Sequence, residues 1–123
     1  MDLRQDQCSH HHTITHYDPG TSFRLGGKLY KQSLIVTADK IIAWSPRQLA
    51  EIQDKDWAKL WALPEKIIIW GCGVHFALPS LSLRQHCIHH KRNLENMHTH
   101  AACGTFNMLL ADQRDVVAVL LID

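Results

Sequence analysis

The central feature of the sequence is an apolar run that ends in a glycine-rich turn, Ile67-Ile68-Ile69-Trp70-Gly71-Cys72-Gly73. A strand with apolar side chains at every position has both faces covered, which is typical of the inner strands of parallel sheets. A second run of this kind is Val116-Val117-Ala118-Val119-Leu120-Leu121-Ile122. Both are far shorter than the roughly 20 residues that a helix needs to cross a bilayer. We therefore predict two core strands and no membrane span.

Segments with helical signals separate these strands. Ser45-Pro46-Arg47-Gln48 offers an N-cap, a proline at the first helical position and a capping-box glutamine. The helix predicted there places Leu49, Ile52, Trp57, Leu60 and Trp61 at helical spacing and ends at Pro64, unless Asp54-Lys55-Asp56 divides it into two turns. A second helix is predicted from Pro79-Ser80 to Arg92, a short strand over residues 94–97, and a third helix from about His100.

The first third of the chain has the signals of a β-meander. Ser22–Leu25 and Lys28–Tyr30 flank Gly26-Gly27, a pair that suits a type I′ hairpin turn. A second hairpin is predicted from Ser33–Thr37 and Ile41–Trp44. Residues 1–21 are polar and rich in histidine, with His10, His11, His12 and His16, and we predict a loose arm there.

Together these elements predict a single three-layer α/β domain over residues 22–123. Its N-terminal β-meander is followed by the order αβαβαβ, which places helices around a central mixed sheet.

The composition excludes several classes of function. Of the 123 residues, 46% are hydrophobic and 20% charged, which is typical of a globular domain. Lys plus Arg number 13 against 12 for Asp plus Glu, so no electrostatic field favours nucleic acid. The first residues, Met1 to Asp6, lack the apolar core of a signal peptide, which predicts a cytoplasmic protein whose four cysteines are thiols.

Two loops are predicted to form a crevice, because ligands of α/β sheets bind beyond the carboxyl ends of parallel strands. Gly71-Cys72-Gly73 follows one inner strand, and the Thr99–Cys103 segment follows the next. The candidate ligand residues are Gly71, Cys72, Gly73, Thr99, His100, Cys103 and Asn107. A dinucleotide site is disfavoured, because Phe76 stands where a third glycine is expected. The plainer interpretation is that the glycines permit a tight turn.

Cys103 is the candidate catalytic residue. A thiol in the first turn of a helix, near His98 or His100, is expected to have a lowered pKa. The alternative is an inert buried thiol, and no acidic residue is evident to orient a histidine. A zinc site could be formed by His98, His100 and Cys103, with Cys72 and His75 nearby. Packing and capping roles are favoured for these side chains. We predict no metal and no cofactor, although His10-His11-His12 could capture a metal adventitiously.

The remaining candidates are an amide and two indoles. Asn107 follows Cys103 by one helical turn, and its side chain is expected to bond to the backbone of a neighbouring loop. The tryptophans are core anchors in the plainer interpretation. An exposed Trp57–Trp61 pair would instead mark a protein-binding surface.

A family resemblance is carried by residues 97–114 and by the strand over residues 116–122. The first segment reads Met97-His98-Thr99-His100-Ala101-Ala102-Cys103-Gly104-Thr105-Phe106-Asn107-Met108-Leu109-Leu110-Ala111-Asp112-Gln113-Arg114. Ser33–Val36, Trp44 and Gly71-Cys72-Gly73 extend it, so that it covers roughly residues 20–122. The chain resembles the domain of unknown function 498 family, which includes a mitochondrial complex I assembly factor. Cys72 stands where the family commonly has threonine, and Gly104 where it often has arginine, which removes a cation from the expected crevice.

The resemblance implies a three-layer α/β domain without an established activity or cofactor. On this basis we predict a non-catalytic protein-interaction module, with respiratory complex subunits or assembly intermediates as partners. Its expected surface is either the exposed face of the Trp57 and Trp61 helix or the rim of the crevice, around Gly71, Cys72, Gly73, Thr99, His100 and Cys103. The alternative is binding of a small anionic ligand, or thiol chemistry, in the crevice between the Gly71-Cys72-Gly73 and Thr99–Cys103 loops.

Overall fold

The computed structural model describes residues 12–123, which form two sheets and a set of helices. The strands are β1 (Ile14–Asp18), β2 (Ser22–Leu25), β3 (Lys28–Tyr30), β4 (Ser33–Val36), β5 (Ile41–Trp44), β6 (Ile67–Gly71), β7 (Asn93–Met97) and β8 (Val116–Leu120). The α-helices are α1 (Ala58–Trp61), α2 (Leu81–His89) and α3 (Thr99–Ala111), and 3₁₀ turns span Leu49–Glu51 and Asp54–Trp57. Within residues 12–123, no helix has the length and apolar character needed to cross a membrane.

The larger sheet is mixed, with strand order β5-β4-β8-β6-β7. β6 lies between β8 and β7 and runs parallel to both, as its continuous apolar sequence predicts. β4 is antiparallel to β8 and to β5. The smaller sheet is an antiparallel meander of β1, β2 and β3.

Alternate residues of the large sheet enter two separate hydrophobic cores. Ile69 and Leu120 pack on one face with Phe106 of α3 and Phe23 of the meander. Ile68 and Val119 pack on the other face with side chains from α1, α2 and the 3₁₀ turns. The molecule therefore has three layers, which confirms the predicted fold class.

The predicted hairpin turn at Gly26-Gly27 is present, with φ angles of 55° and 80°. Both angles lie in the left-handed region that a type I′ turn requires and that glycine adopts without strain. The two predicted hairpins, however, belong to different sheets. β1–β3 form the meander, whereas β4 and β5 join the central sheet.

Part of the predicted polar arm is a strand. β1 pairs with β2 and buries Ile14, which is only 6% exposed. Most of its other side chains face solvent, so its sequence lacks the apolar content by which strands are recognised. Residues 1–11, which include Cys8, His10 and His11 of the predicted arm, lie outside the described residues.

The helix predicted from Ser45 does not form as one element. Gln48 and Gln53 are both extended, with ψ angles of 164° and 160°, and each precedes a short 3₁₀ turn. The capping box forms instead at the second turn, where the backbone N–H of Gln53 donates to the Asp56 carboxylate at 2.8 Å. The Asp54-Lys55-Asp56 segment, at which the sequence suggests a division of the helix, is therefore the start of the second 3₁₀ turn.

Candidate functional site

The two predicted loops meet at the carboxyl ends of β6 and β7. The backbone N–H of Cys72 donates to the carbonyl of Met97 at 2.9 Å. The N–H of Thr99 donates to the carbonyl of Gly73 at 3.0 Å, and the N–H of Gly73 donates back to the Thr99 hydroxyl at 2.8 Å. The adjacent parallel strands thus bring the loops together as the sequence predicts.

Thr99 connects the loops rather than presenting itself to a ligand. Its side chain is fully buried, and its hydroxyl donates to the carbonyl of Leu121 at 2.8 Å while accepting from Gly73. One side chain thereby joins the β6 loop, the start of α3 and the segment after β8. Both hydrogen-bonding roles of the hydroxyl are used inside the protein, which assigns Thr99 to the framework of the crevice.

The two glycines permit this close packing. A Cβ atom on Gly71 would lie 3.0 Å from the Cβ of Ala102 and 3.1 Å from the Cα of Thr99. Gly73 has a φ of +98°, and a Cβ there would collide with the backbone oxygen of Asp123. The structure therefore accounts for both residues by turn geometry and close backbone approach.

A cleft of about 310 Å³ opens beside this junction, lined by Tyr17, Pro19, Gly73, Val74, His98 and His100. No acidic side chain lines it. His98 is the N-cap of α3, but its side chain makes no capping bond, and the first helical turn has no acidic residue. The cleft therefore combines two imidazoles with the positive end of a helix dipole, which favour an anion, although Asp18 and Asp123 act electrostatically on Tyr17 in its lining.

Tyr17 forms part of the wall of the cleft. Its hydroxyl donates to the carbonyl of Ile122 at 3.2 Å. Burial raises the pKa of Tyr17 to about 12, so the phenol is neutral at physiological pH. It therefore supplies the cleft with an aromatic wall and no charge.

Cys103 does not have the lowered pKa expected of a nucleophile. Its thiol packs in the core with Ala102 and Phe106 and does not line the cleft. Burial raises the pKa of Cys103 to about 12, because desolvation outweighs the opposing effect of a hydrogen bond from its own backbone. Cys72 is also buried, with its sulfur 3.6 Å from the carbonyl oxygen of His75.

Cys72 and Cys103 lie in different cores on opposite faces of the sheet. A zinc site built from both thiols together with His98 and His100 would need Cys72 and Cys103 side by side. The sheet separates the two thiols. Over residues 12–123, no group of three or more His, Cys, Asp and Glu side chains is arranged to hold a metal ion.

Asn107 bonds to a neighbouring backbone, as the sequence indicates. Its amide nitrogen donates to the carbonyl of Ile14 at 2.7 Å, and its amide oxygen accepts from the N–H of Ile14 at 2.8 Å. This pair of bonds joins α3 to β1. Asn107 is therefore a structural residue and lies outside the cleft lining.

The exposed tryptophan surface considered from the sequence is absent. Trp57 is only 4% exposed, and its ring centroid lies 5.0 Å from that of Trp44 and 5.2 Å from that of Trp70. Trp61 is half-buried and stacks on His86, with 3.5 Å between ring centroids. The indoles form a cluster under the short helices, because the 3₁₀ turns rotate Trp57 inward.

A different apolar surface is exposed. Its members are side chains of the loop after β6, the first residue of α2 and one residue of the first 3₁₀ turn: Leu49, Val74, Phe76, Leu78 and Leu81, here called the apolar patch. The exposed fractions are 55% for Phe76, 77% for Leu78 and 61% for Leu81. Leu49 borders one groove with Leu78 and another with Val74, so these three side chains neighbour one another.

The loop that carries the patch is fixed to the sheet. The Asn96 amide nitrogen donates to the carbonyl of Ala77 at 2.7 Å, and the Phe76 ring meets the His98 ring edge-on at 5.7 Å. The sequence signal was available, since Val74, Phe76 and Leu78 place an apolar side chain at every second position of a loop. It was missed because a short apolar run gives no indication of exposure.

Comparison with solved structures supports the same fold. A crystal structure of a Bordetella parapertussis protein has a TM-score of 0.80 at 23% identity, covering 90% of this chain and 95% of that one. A Bartonella henselae protein described as an outer membrane protein has a TM-score of 0.79 at 24% identity, with coverages of 89% and 93%. A Bordetella pertussis protein described as a Mth938-like domain has a TM-score of 0.76 at 20% identity, with coverages of 91% and 86%.

These likenesses establish the fold alone, and no curated protein matches the sequence. The family model "Protein of unknown function (DUF498/DUF598)" matches residues 14–121, which include every strand and helix described above. The match confirms the family resemblance that residues 97–114 and the strand over residues 116–122 indicate. The chain is a member of the DUF498/DUF598 family.

Proposed function

We propose that this chain is a non-catalytic protein-interaction domain and that the apolar patch is its contact surface. The observation that carries the proposal is the exposure of Phe76, Leu78 and Leu81 on one fixed segment. Isolated apolar side chains are common on protein surfaces, whereas a continuous apolar patch is typical of an interaction site.

The patch is suited to binding because its loop is already held in place. Asn96 fixes the loop at Ala77, and the Gly73–Thr99 hydrogen bonds fix its beginning. A partner that binds here therefore has little backbone to immobilise, which lowers the entropic cost of association. Burial of apolar area stabilises the complex by about 25 cal/mol per Å² before such costs.

The state of the thiols supports a function without covalent catalysis. A thiol with a pKa of about 12 is almost entirely protonated at neutral pH, and Cys103 is also buried away from the cleft. The partner class we propose comes from the family resemblance: subunits of a respiratory complex, or its assembly intermediates, met on the cytoplasmic side.

Recovery of partners from cells tests this function. The full chain is compared with a Phe76→Ser/Leu78→Ser double variant and with an Ile88→Ser control, whose parent side chain is 77% exposed on α2. We expect respiratory subunits to be recovered with the native chain and with the control, and lost with the double variant. Equal recovery with all three chains would exclude the patch, and recovery of no respiratory subunit would exclude this partner class.

A second function has a specific observation in its favour. The cleft lined by His98 and His100 lacks acidic residues and lies at the uncapped start of α3, so we also propose that it binds a small anion. Inorganic phosphate is the probe, titrated while the His98 and His100 resonances are followed by NMR. Saturable shifts that His100→Gln weakens would support the site, and shifts without saturation would reject it.

A further inference from the structure

Three histidines lie together at the end of α2, outside the lining of the cleft and outside the apolar patch. His86 and His90 are one helical turn apart, with 4.2 Å between ring centroids. His89 lies beside them, its ring centroid 4.9 Å from that of His90. His89 and His90 are exposed, and His86 lies between His90 and the ring of Trp61. His86 packs on Trp61, and neither this contact nor the proposed function accounts for the grouping of the three imidazoles.

The geometry suits chelation of a metal ion. Residues four apart on a helix share a face, and two histidines at this spacing can bind one metal. Zinc–nitrogen bonds are about 2.0–2.1 Å long, so two ligand nitrogens must come within roughly 3 Å of each other. Imidazole rings whose centroids are 4.2 Å apart reach that separation by side-chain rotation, without a change in the backbone.

The electrostatics at this end of the helix act in both directions. The carbonyl end of a helix dipole attracts cations. Partial burial lowers the pKa of His86, and the positive charges of His90, Arg92 and His89 lower it further. A lower pKa favours the neutral imidazole that metals require. Lys91 and Arg92 oppose a cation, although the Arg92 Nε donates to the carbonyl of Glu65 at 2.8 Å. A site of modest affinity is the result.

We propose that His86 and His90 bind a divalent transition-metal ion, with water completing its coordination. Two imidazoles suit Zn²⁺, Ni²⁺ and Cu²⁺, and affinity is expected to be highest for Cu²⁺. The site is an open one with two protein ligands, which agrees with the absence of any larger ligand group over residues 12–123. It is independent of the apolar patch and of the cleft.

Trp61 provides a local readout, because a Cu²⁺ ion on His86 would lie within a few ångströms of its ring and quench its fluorescence. The full chain is titrated with CuCl₂ in a His10→Gln/His11→Gln background, which removes two competing ligands near the N-terminus. His90→Gln is the main test variant, since it leaves the contact between His86 and Trp61 in place. His16→Gln, which changes an exposed histidine of β1 outside the cleft lining and the apolar patch, is the matched control.

The proposal predicts saturable quenching with one Cu²⁺ per chain. His90→Gln should raise the dissociation constant about tenfold or more, because a single imidazole loses the chelate effect. His86→Gln should do the same, and His16→Gln should leave the titration unchanged. Quenching that His86→Gln and His90→Gln do not weaken, or that fails to saturate, would overturn the proposal.

Discussion

The side-chain amide of Asn107 pairs with both backbone groups of Ile14, 93 residues earlier in the chain. The N–H and the carbonyl of Ile14 each bond to this one side chain, at 2.8 Å and 2.7 Å. Asn107 thus stands where a neighbouring strand would otherwise be, and it attaches the small meander to the helix that covers the central sheet. The N-terminal strand is held by α3 as well as by β2.

Asn107→Leu should destabilise the protein by about 1–3 kcal/mol, because two part-buried backbone groups lose their partners. The measurement is urea unfolding, with Met108→Leu as the control on the exposed side of the same helix. Hydrogen exchange at Ile14 and along β1 should accelerate in the variant. Unchanged stability and exchange would show that β1 is held by β2 alone.

Thr99→Val and Thr99→Ser separate the role of the hydroxyl from that of the methyl group. Valine has nearly the same shape but leaves the N–H of Gly73 and the carbonyl of Leu121 without their buried partner. We expect a loss of about 2–6 kcal/mol for valine, since each of the two unpaired groups costs about 1–3 kcal/mol. Serine keeps both bonds and should lose less. A greater loss for serine would refute the assigned hydrogen bonds.

Gly73→Ala and Gly104→Ala should have opposite effects on the free energy of unfolding. Alanine at position 73 is strained by the φ of +98° and meets the backbone oxygen of Asp123, so the protein should be destabilised. At position 104, within α3, a Cβ meets nothing within 4 Å, and the helix should gain about 0.5–1 kcal/mol. Thermal unfolding of both variants checks this contrast, and effects of the same sign would contradict it.

The stability should fall at alkaline pH because of Cys103. Its pKa rises from 9.0 to about 12 on folding, so the folded protein retains a proton that the unfolded chain loses. The stabilisation is complete below about pH 9 and declines between pH 9 and 12, by up to 1.36 kcal/mol per pH unit. Tyr17, whose pKa rises from 10.0 to about 12, adds a decline of the same sign above pH 10.

Urea unfolding between pH 8 and pH 11 measures this decline. Cys103→Ala removes the thiol, and its stability should therefore depend less steeply on pH than that of the native chain. Tyr17→Phe should have a similar effect that begins about one pH unit higher. A native curve that stays flat to pH 11 would show that Cys103 ionises as readily in the folded protein as in the unfolded chain.

The sequence predicts the inner strands well because their signal is local and strong. Ile67–Trp70 and Val116–Leu120 are apolar at every position, and only a strand covered on both faces suits such a pattern. The meeting of the loops at Gly73 and Thr99 follows from that prediction, because adjacent parallel strands end at the same edge.

Features that depend on distant contacts could not be predicted in this way. β1 has few apolar side chains, and its place is fixed by Asn107 and β2. Capping patterns occur at both Ser45 and Gln53, and only tertiary packing selects Gln53. The burial of Trp57 and of Cys103 depends on the same packing, and for that reason the sequence left a core role and a functional role open for both residues.

The account rests on contact between the apolar patch and another protein, and crosslinking in cells measures that contact most directly. A photoreactive amino acid is placed at Leu78 in the patch or at Ile88 on α2, two side chains that are each 77% exposed. We predict a discrete crosslinked product from position 78, identified as a respiratory subunit or assembly intermediate, and none from position 88. The same products from both positions, or none from position 78, would contradict an interaction through the patch.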